Sequence, residues 1–258
     1  MKTAKSIIYI TKWLKTYSEN SNTNGFVIGI SGGIDSAVTS TLCALTGKDV
    51  LCVLMPIHQH KMEFNRSKEH SDWLLAKFSN VRICTAKLTD TFDVLSAQIP
   101  QKLQDNLTMA NTRARIRMTT LYTFAGAKGM LVAGTGNKIE DFGVGFFTKY
   151  GDGGVDLSPI ADLMKSEVFE ISKDLGIVKS IQKAAPTDGL WSDGRSDEDQ
   201  LGATYNELEW AMQAYEVSQE NTYEGREREV FAIFSRLHRA NKHKMLAIPI
   251  CIIPSYLK

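Results

Sequence analysis

Two serines, two glycines and an aspartate stand together in the segment SGGIDS, residues 31–36. Small residues let backbone N–H groups approach an anion, and a helix that begins there adds partial positive charge, so the segment predicts a phosphate-binding loop. It lacks the Gly-Lys-Ser/Thr ending of a Walker A loop. Because Asp35 would repel phosphate, the prediction requires a cation such as Mg²⁺ between the two. The alternative is an ordinary tight connection capped by Asp35.

A second carboxylate suited to such a cation belongs to Glu140, which follows Thr135 by five residues. Both residues come just after the strand-like residues 130–133, at the edge where open parallel sheets place their ligands. Glu140 is therefore predicted to share a metal ion with Asp35. A solvated acid in the first turn of a helix is the alternative interpretation.

Three arginines in a helical stretch, Arg113, Arg115 and Arg117, offer a site for an anion. Arg113 and Arg117 are four residues apart and repel each other unless an acid or a ligand meets them. The three arginines form either a solvated helix face or an anion clamp, and the pattern alone leaves both interpretations open.

From Asp141 to Gly154 the chain is too glycine-rich for a regular element, which predicts an ordered loop that holds side chains out. Lys149 lies in this loop, and Asp156 and Lys165 follow it. These charges would face a ligand that the loop wraps. Solvent-exposed loop charge is the usual explanation for any one of them.

The hydrophobic pattern predicts the scaffold that positions these residues. Strand-like runs at 25–30, 50–55, 81–84 and 130–133 alternate with helical periodicity at 34–45, 67–78 and 109–125. Helical patterns also occur near residues 7–17, 165–175, 201–217 and 227–240. Such alternation predicts an α/β fold with a doubly wound, Rossmann-like parallel sheet of about five strands, followed by a helical C-terminal appendage. We expect one domain over residues 1–258.

The polar segment 184–202 carries three glycines and predicts a mobile lid, with Ser196 as the N-cap of the helix that follows. Basic residues His243 and Lys244 come shortly after the last predicted helix. Basic residues near a helix C-terminus are ordinary, because they complement the helix dipole.

Composition narrows the class of protein. Thirty Lys and Arg residues against 29 Asp and Glu residues leave a formal charge of +1, so no global field draws the chain to nucleic acid or to an anionic membrane. We find no membrane-spanning run, no secretory signal and no cysteine framework among the four cysteines. The expected location is the cytoplasm.

The SGGxDS motif resembles that of the ATP pyrophosphatase group of adenylating enzymes. Further segments are similar to the NAD synthetase family: GTGNKIE at 134–140, FTKYGDGGVDLSPI at 147–160, and Leu163-Met164-Lys165. The resemblance covers nearly the whole chain. It implies an ATP pyrophosphatase type of fold and a carbon–nitrogen ligase: ATP adenylates the nicotinate carboxylate of deamido-NAD, and ammonia then displaces AMP to give NAD.

The resemblance also implies roles for individual residues. The ATP site comprises Gly29, Ile30, Ser31, Gly32, Gly33, Ile34, Asp35, Ser36, Thr135, Lys165 and Thr187. The deamido-NAD site comprises Arg115, Lys149, Asp156, His243 and Lys244. Mg²⁺ is expected on Asp35 and Glu140, which with Lys165 form the catalytic group. The carboxylates of Asp35 and Glu140 are expected to be exposed towards the ligand and to contribute little to the stability of the core.

The chain leaves no room for the glutaminase domain of glutamine-using members, so free ammonia is the expected donor, unless a separate glutaminase supplies it. The GTGNK variant of the motif also occurs in glutamine-dependent members. Family members are homodimers, so we expect a homodimer here. The alternatives are another amidating or thiolating enzyme, a non-catalytic adenine-nucleotide sensor, and a structural or interaction protein. His58, His60 and His70 match no metal spacing.

Overall fold

A four-stranded parallel sheet forms the centre of the computed structural model, which describes residues 1–186, 197–217 and 223–258. The strands are β1 (Gly25–Gly29), β2 (Asp49–Leu54), β3 (Val81–Thr85) and β4 (Leu131–Val132), in the spatial order β3-β2-β1-β4. All neighbouring pairs are parallel, with β1 paired to both β2 and β4. The chain therefore winds outward in both directions from β1.

Ten α-helices connect and cover the strands in the described residues. They are α1 (Thr3–Asn20), α2 (Ile34–Leu45), α3 (Lys61–Lys77), α4 (Thr89–Ala97), α5 (Asn106–Lys128), α6 (Lys165–Asp174), α7 (Lys179–Gln182), α8 (Asp197–Leu201), α9 (Tyr205–Glu216) and α10 (Gly225–Met245). Short 3₁₀ turns lie at Gln101–Leu103 and Ser255–Leu257, and a π-helical turn lies at Ile139–Val144. In the described residues, no helix has the length and apolar character that crossing a membrane requires.

The sheet is buried on both faces, because successive strand residues point to opposite sides. In β1, Phe26 and Ile28 pack into a core with residues of α1, α2 and α6. Val27 points the other way, into a second core with residues of α4 and α5. The doubly wound α/β fold expected from the sequence is confirmed.

The strand count differs slightly from the expected five. After the π-helical turn the chain returns beside β4, but a single parallel bridge joins Ala133 to Leu157. The backbone of Asp156 and Leu157 makes two hydrogen bonds to this edge before the chain turns away. A fifth strand is thus reduced to one bridge.

The C-terminal helices form a third core of their own. Leu208, Met212, Val230 and Phe234 from α9 and α10 pack around Ile139 of the π-helical turn. This is the helical appendage expected from the sequence, and it holds the turn from the side away from the sheet. Helix α10 extends to Met245, beyond the end at residue 240 that the pattern predicted.

Two other expectations need correction. The segment 141–154 is not irregular throughout, because residues 139–144 form the π-helical turn, supported by the third core despite Gly143. Helix α4 was missed, and α3 begins six residues earlier than predicted, at Lys61. The lid and the Ser196 cap fall largely on residues 187–196, outside the described residues.

His70 of α3 is fully buried against Trp73 and bonds Ser40 of α2 through Nε2 at 3.0 Å. Burial lowers the pKa of His70 to about 4. The backbone of Ala37, acting as a hydrogen-bond partner of the imidazole, opposes this shift only in part. The role of His70 is therefore structural, and the imidazole is neutral at physiological pH.

This burial predicts a pH dependence of stability. Because the folded state resists protonating His70, the unfolded state binds more protons between pH 6.5 and 4, and stability falls as the pH falls through that window. We expect His70 to account for a loss of about 3 kcal/mol in the free energy of unfolding. Urea unfolding of the wild type and of His70→Gln at pH 7, 6, 5 and 4 measures it. If the free energy of unfolding fell equally with pH in the two proteins, this account would be contradicted.

Candidate active site

The carboxyl ends of β1, β2 and β4 open into a cavity of about 790 Å³. Residues that follow these three strands line it, as do one face of α5 and the segment 145–155. Open parallel sheets bind ligands at this edge, and the volume is in the range of nucleotide-sized sites. The cavity lies where the sequence analysis placed the site.

The loop from Ile30 to Gly33 carries the predicted phosphate site between β1 and α2. Gly29 to Ile34 line the cavity, whereas Ser36 is buried and braces the loop by bonds to Ser31 Oγ at 3.1 Å and Gly33 O at 3.0 Å. Gly32 has φ +89° and Arg66 Nε donates to its carbonyl at 3.4 Å. The turn is thus fixed before any anion arrives, with its backbone facing the cavity.

Lys165 lies between the two carboxylates that the sequence assigned to a metal ion. Its Nζ is 2.6 Å from Asp35 Oδ2 and 2.9 Å from Glu140 Oε1. The lysine side chain is 4% exposed, and those of Asp35 and Glu140 are 17% and 16% exposed. The expectation that these carboxylates are exposed is therefore wrong, because the π-helical turn and α6 enclose them.

Electrostatics favour the charged forms of Lys165 and Glu140 and oppose the ionised form of Asp35. Burial opposes the charge of Lys165, but Asp35 and Glu140 outweigh it and raise the pKa of the lysine above its ordinary value. Burial raises the pKa of Asp35, and the Glu140 charge adds to that effect against Lys165. For Glu140, Lys165 and the Tyr205 hydroxyl outweigh burial and lower the pKa. With both carboxylates ionised, the three groups would carry a net negative charge, which favours a further cation.

Two residues at this centre had no role in the sequence analysis. Asn137 is fully buried, donates from Nδ2 to Asp35 Oδ1 at 3.0 Å and accepts from the Glu140 backbone N–H at 3.1 Å. Tyr205 donates its hydroxyl to Glu140 Oε1 at 2.5 Å. Asn137 stands inside the GTGNK motif, which was a usable signal. Tyr205 gave none, since it reaches the site from a helix 65 residues away in the chain.

The opposite end of the cavity is basic, and four of the five residues assigned to deamido-NAD meet there. Arg115 donates from Nε and Nη2 to the Lys149 carbonyl, both at 3.3 Å. Lys149 Nζ in turn donates to the His243 carbonyl at 3.1 Å. Lys244 Nζ bonds the carbonyls of Gly145 and Phe147, and all four residues line the cavity.

The remaining predicted site residues, Thr135, Asp156 and Thr187, differ in their position relative to the cavity. Thr135 lines the cavity just after β4. Asp156 accepts hydrogen bonds from Tyr122 Oη at 2.9 Å and from the Val132 N–H at 2.8 Å, away from the cavity lining, so its contact with substrate stays a prediction. Thr187 lies outside the described residues.

The arginines of α5 divide between the two interpretations that the sequence left open. The Arg113 guanidinium stacks over the Phe92 ring at 5.4 Å and is not part of the cavity lining. Arg115 and Arg117 line the cavity, and Arg117 Nε donates to the Met55 carbonyl at 3.1 Å. The helix therefore presents two of the three to a ligand.

A metal ion would depend on few protein ligands here. Within the described residues, no group of three or more His, Cys, Asp or Glu side chains is arranged to hold an ion. The Asp35 and Glu140 pair alone converges on one point. Mg²⁺ is commonly bound in this way, by one or two carboxylates together with substrate phosphates and water.

Comparison with known proteins gives a consistent result. The family described as NAD synthase matches residues 6–247. The NH₃-dependent NAD⁺ synthetase of Finegoldia magna is 40% identical over 81% of this chain and 84% of that protein. That of Mesoplasma florum is 36% identical over 95% of each. The solved structure of the NMN synthetase from Francisella tularensis superposes with a TM-score of 0.85 at 30% identity over 99% of each chain. By these relationships, and by the site just described, the chain belongs to the NAD synthase family.

Proposed function

We propose that this chain joins ammonia to the nicotinate carboxylate of deamido-NAD at the expense of ATP, giving NAD, AMP and pyrophosphate. The family is a ligase family that uses ATP. The observation that carries the proposal is one cavity with the phosphate loop and the Lys165 centre at one end and Arg115, Lys149 and His243 at the other. The phosphate loop suits the phosphates of one nucleotide, and the basic residues suit the anionic groups of the other.

The chemistry requires both ends. A carboxylate oxygen attacks the α-phosphorus of ATP, and the bond to pyrophosphate breaks. The nitrogen of ammonia then attacks the carboxyl carbon, the bond to AMP breaks, and a proton leaves the nitrogen. Each step needs the reactants aligned and the departing charge neutralised, and no protein nucleophile takes part.

Within this chain, the backbone of residues 30–33 would hold the ATP phosphates at the start of α2. Lys165 would supply positive charge to the departing pyrophosphate. Asn137 and Tyr205 would keep Asp35 and Glu140 in place as Lys165 turns toward the nucleotide.

Mg²⁺ is part of the proposal. Asp35 and Glu140 are hard oxygen donors that already converge on the Lys165 ammonium, so the donor set and its net charge fit a divalent cation bound jointly with phosphate. When bound, Mg²⁺ would neutralise phosphate charge. The residues that would hold it are Asp35 and Glu140.

A second substrate is favoured by one observation, the likeness to the Francisella tularensis NMN synthetase. The same chemistry on nicotinate mononucleotide would give NMN, since the reacting carboxylate is identical. The two substrates differ in the adenylate half that only deamido-NAD carries.

A product assay separates these possibilities. Purified protein is incubated with ATP and Mg²⁺, with either deamido-NAD or nicotinate mononucleotide, and with either ammonium or glutamine, and NAD, NMN, AMP and pyrophosphate are followed. We expect NAD with deamido-NAD and ammonium, and none with glutamine. Preferential formation of NMN would move the substrate to the mononucleotide. ATP that binds but is never cleaved would favour a nucleotide sensor.

We also propose that residues 1–258 act as one NAD synthetase domain and that the protein is a cytoplasmic homodimer. Leu107 supports the dimer, because this apolar side chain is 60% exposed yet lines the cavity. All four cysteines are free thiols, which fits a reducing compartment. A solution mass of two chains in sedimentation equilibrium would support the dimer.

A further inference from the structure

Helix α5 lines the cavity mainly with uncharged side chains, and Arg115 and Arg117 are the exceptions among them. The lining residues of this helix are Leu107, Ala110, Asn111, Ala114, Arg115, Arg117, Met118 and Leu121. Arg115 is exposed at the rim, where it bonds the Lys149 carbonyl. Arg117 lies further along the face, among small and apolar side chains.

The position of Arg117 along α5 places it between the two ends of the site. Towards the N-terminus of the helix, Asn111 accepts from Thr148 Oγ1 at 2.6 Å, so this part contacts the glycine-rich segment. Towards the C-terminus, Leu121 approaches Gly29 at the end of β1, beside the phosphate loop. The guanidinium therefore lies where the two nucleotides would meet.

Arg117 has far more hydrogen-bonding capacity than the protein uses. In the part of the chain that the structure describes, its guanidinium makes one hydrogen bond, from Nε to the Met55 carbonyl at 3.1 Å. A guanidinium offers five N–H donors. Glu63 and Asp152 act on it through charge alone, without a hydrogen bond. The Met55 contact by itself does not require an arginine.

Keeping this cation in the cavity is unfavourable for the ligand-free fold. A half-buried guanidinium that the neighbouring acids do not hydrogen-bond loses hydration that the protein replaces only in part. Burial and the neighbouring Arg113 lower the pKa of Arg117 to about 10, so it stays protonated at neutral pH. An anionic ligand would supply a closer counter-charge and the missing acceptors.

We propose that Arg117 is a substrate-binding residue that donates to an oxygen on the α-phosphorus of ATP. This inference rests on the proposed function and deepens it. The α-phosphate is the anionic group of ATP that must reach the pyridine nucleotide, and it keeps a negative charge when adenylation occurs. A planar guanidinium held at Nε by Met55 directs its remaining donors as a fork suited to two phosphate oxygens.

The test compares Arg117→Met with Arg113→Met, a matched change one helical turn away at a guanidinium that stacks on Phe92 outside the cavity lining. Isothermal titration calorimetry measures binding of Mg²⁺-ATP and, separately, of deamido-NAD. We expect Arg117→Met to weaken ATP binding about 10- to 100-fold, the range of a lost charge-assisted hydrogen bond. Deamido-NAD affinity should change by less than about threefold, as should ATP affinity in Arg113→Met.

Thermal unfolding distinguishes binding from a structural role. Ligand-free Arg117→Met should melt at the wild-type temperature or above, because it removes a half-buried charge that Glu63 and Asp152 do not hydrogen-bond, but ATP should stabilise it less. Arg117→Lys should recover ATP binding only in part, since an ammonium lacks the planar fork.

Three results would overturn the proposal: unchanged ATP affinity in Arg117→Met, a loss confined to deamido-NAD, or a lowered melting temperature without ligand that accounts for the whole binding defect. Since ATP binding requires no turnover, these measurements remain decisive even if no NAD is formed. Failure of the proposed function and failure of this assignment are therefore distinguishable.

Discussion

Replacing Lys165 with methionine is expected to reduce pyrophosphate release by about 10²- to 10³-fold, the usual effect of removing one group that stabilises transition-state charge. The same change should destabilise the fold by about 3 kcal/mol, because it leaves Asp35 and Glu140 facing each other with no ammonium between them. Methionine keeps the length and apolar stem of lysine, so the effect isolates the charge. Pyrophosphate release and urea unfolding measure the two parts.

The pH dependence of this variant adds a second readout. Without Lys165, one of the two buried carboxylates should hold a proton, so its folded-state pKa rises above its unfolded value. A raised carboxylate pKa stabilises the fold at low pH, and that stability is lost as the pH rises through it. As the pH rises above the ordinary range of a carboxylate, the variant should therefore lose more stability than the wild type, in which Lys165 offsets part of the rise in the Asp35 pKa.

Lys138→Met is the matched control, because Lys138 is also a lysine in an ion pair near the site, in the GTGNKIE motif that carries Glu140, and it pairs with Asp162 at 3.1 Å, where the aspartate is 97% exposed. It should keep both stability and activity, since exposed ion pairs contribute little. If Lys165→Met released pyrophosphate at the wild-type rate, the role assigned to Lys165 would be wrong. Normal stability of that variant would show that the two carboxylates do not depend on the lysine.

The sequence was sufficient for those parts of the site whose chemistry is local. Glycines and hydroxyls between a strand and a helix specify a phosphate loop through backbone geometry alone, and residues 29–34 do line the cavity. Alternating strands and helices specify a parallel sheet, and open parallel sheets bind their ligands at the carboxyl ends of the strands. The position of the binding site could therefore be predicted. Thr135 and Glu140 could be placed by the same rule.

Parts of the site that depend on packing across the chain could not be predicted. The π-helical turn Ile139–Val144 exists because the third core encloses Ile139 and Val144 and because Phe146 N–H bonds the Glu140 carbonyl at 2.8 Å. Local propensity gives no sign of either. The burial of Glu140, and hence the error about its exposure, follows from that turn and from Tyr205.

The arginines of α5 show a second limit of prediction from the sequence. Arg113 and Arg117 are four residues apart and share a helix face, whereas Arg115 lies on roughly the opposite side. The sequence cannot say which side faces the cavity, because the apolar residues of α5 form no clear stripe. In the structure, Arg113 stacks on Phe92 outside the cavity lining, whereas Arg117 donates to the Met55 carbonyl within it.

Replacing Gly32 with alanine is expected to raise the KM for ATP by more than about tenfold and to destabilise the fold by about 2 to 4 kcal/mol. Gly32 has φ +89°, which alanine rarely adopts. A Cβ there would lie 2.5 Å from the Glu63 carbonyl oxygen and 3.0 Å from the Ser67 nitrogen, both backbone atoms of α3. Neither can move without shifting the helix, so the loop must open and its N–H groups must lose their common direction.

Gly33→Ala is the control within the same loop. Gly33 has φ −92°, and a Cβ there would meet only the Ser31 hydroxyl at 3.3 Å, a side-chain atom that can rotate away. Urea unfolding should therefore separate the two alanines, with Gly33→Ala within about 1 kcal/mol of the wild type. Equal stability of the two variants would show that the left-handed turn at Gly32 is not required. If Gly32→Ala unfolds more easily but binds ATP normally, the loop shape is structural, and the phosphates are held by the side chains of Lys165 and Arg117 instead.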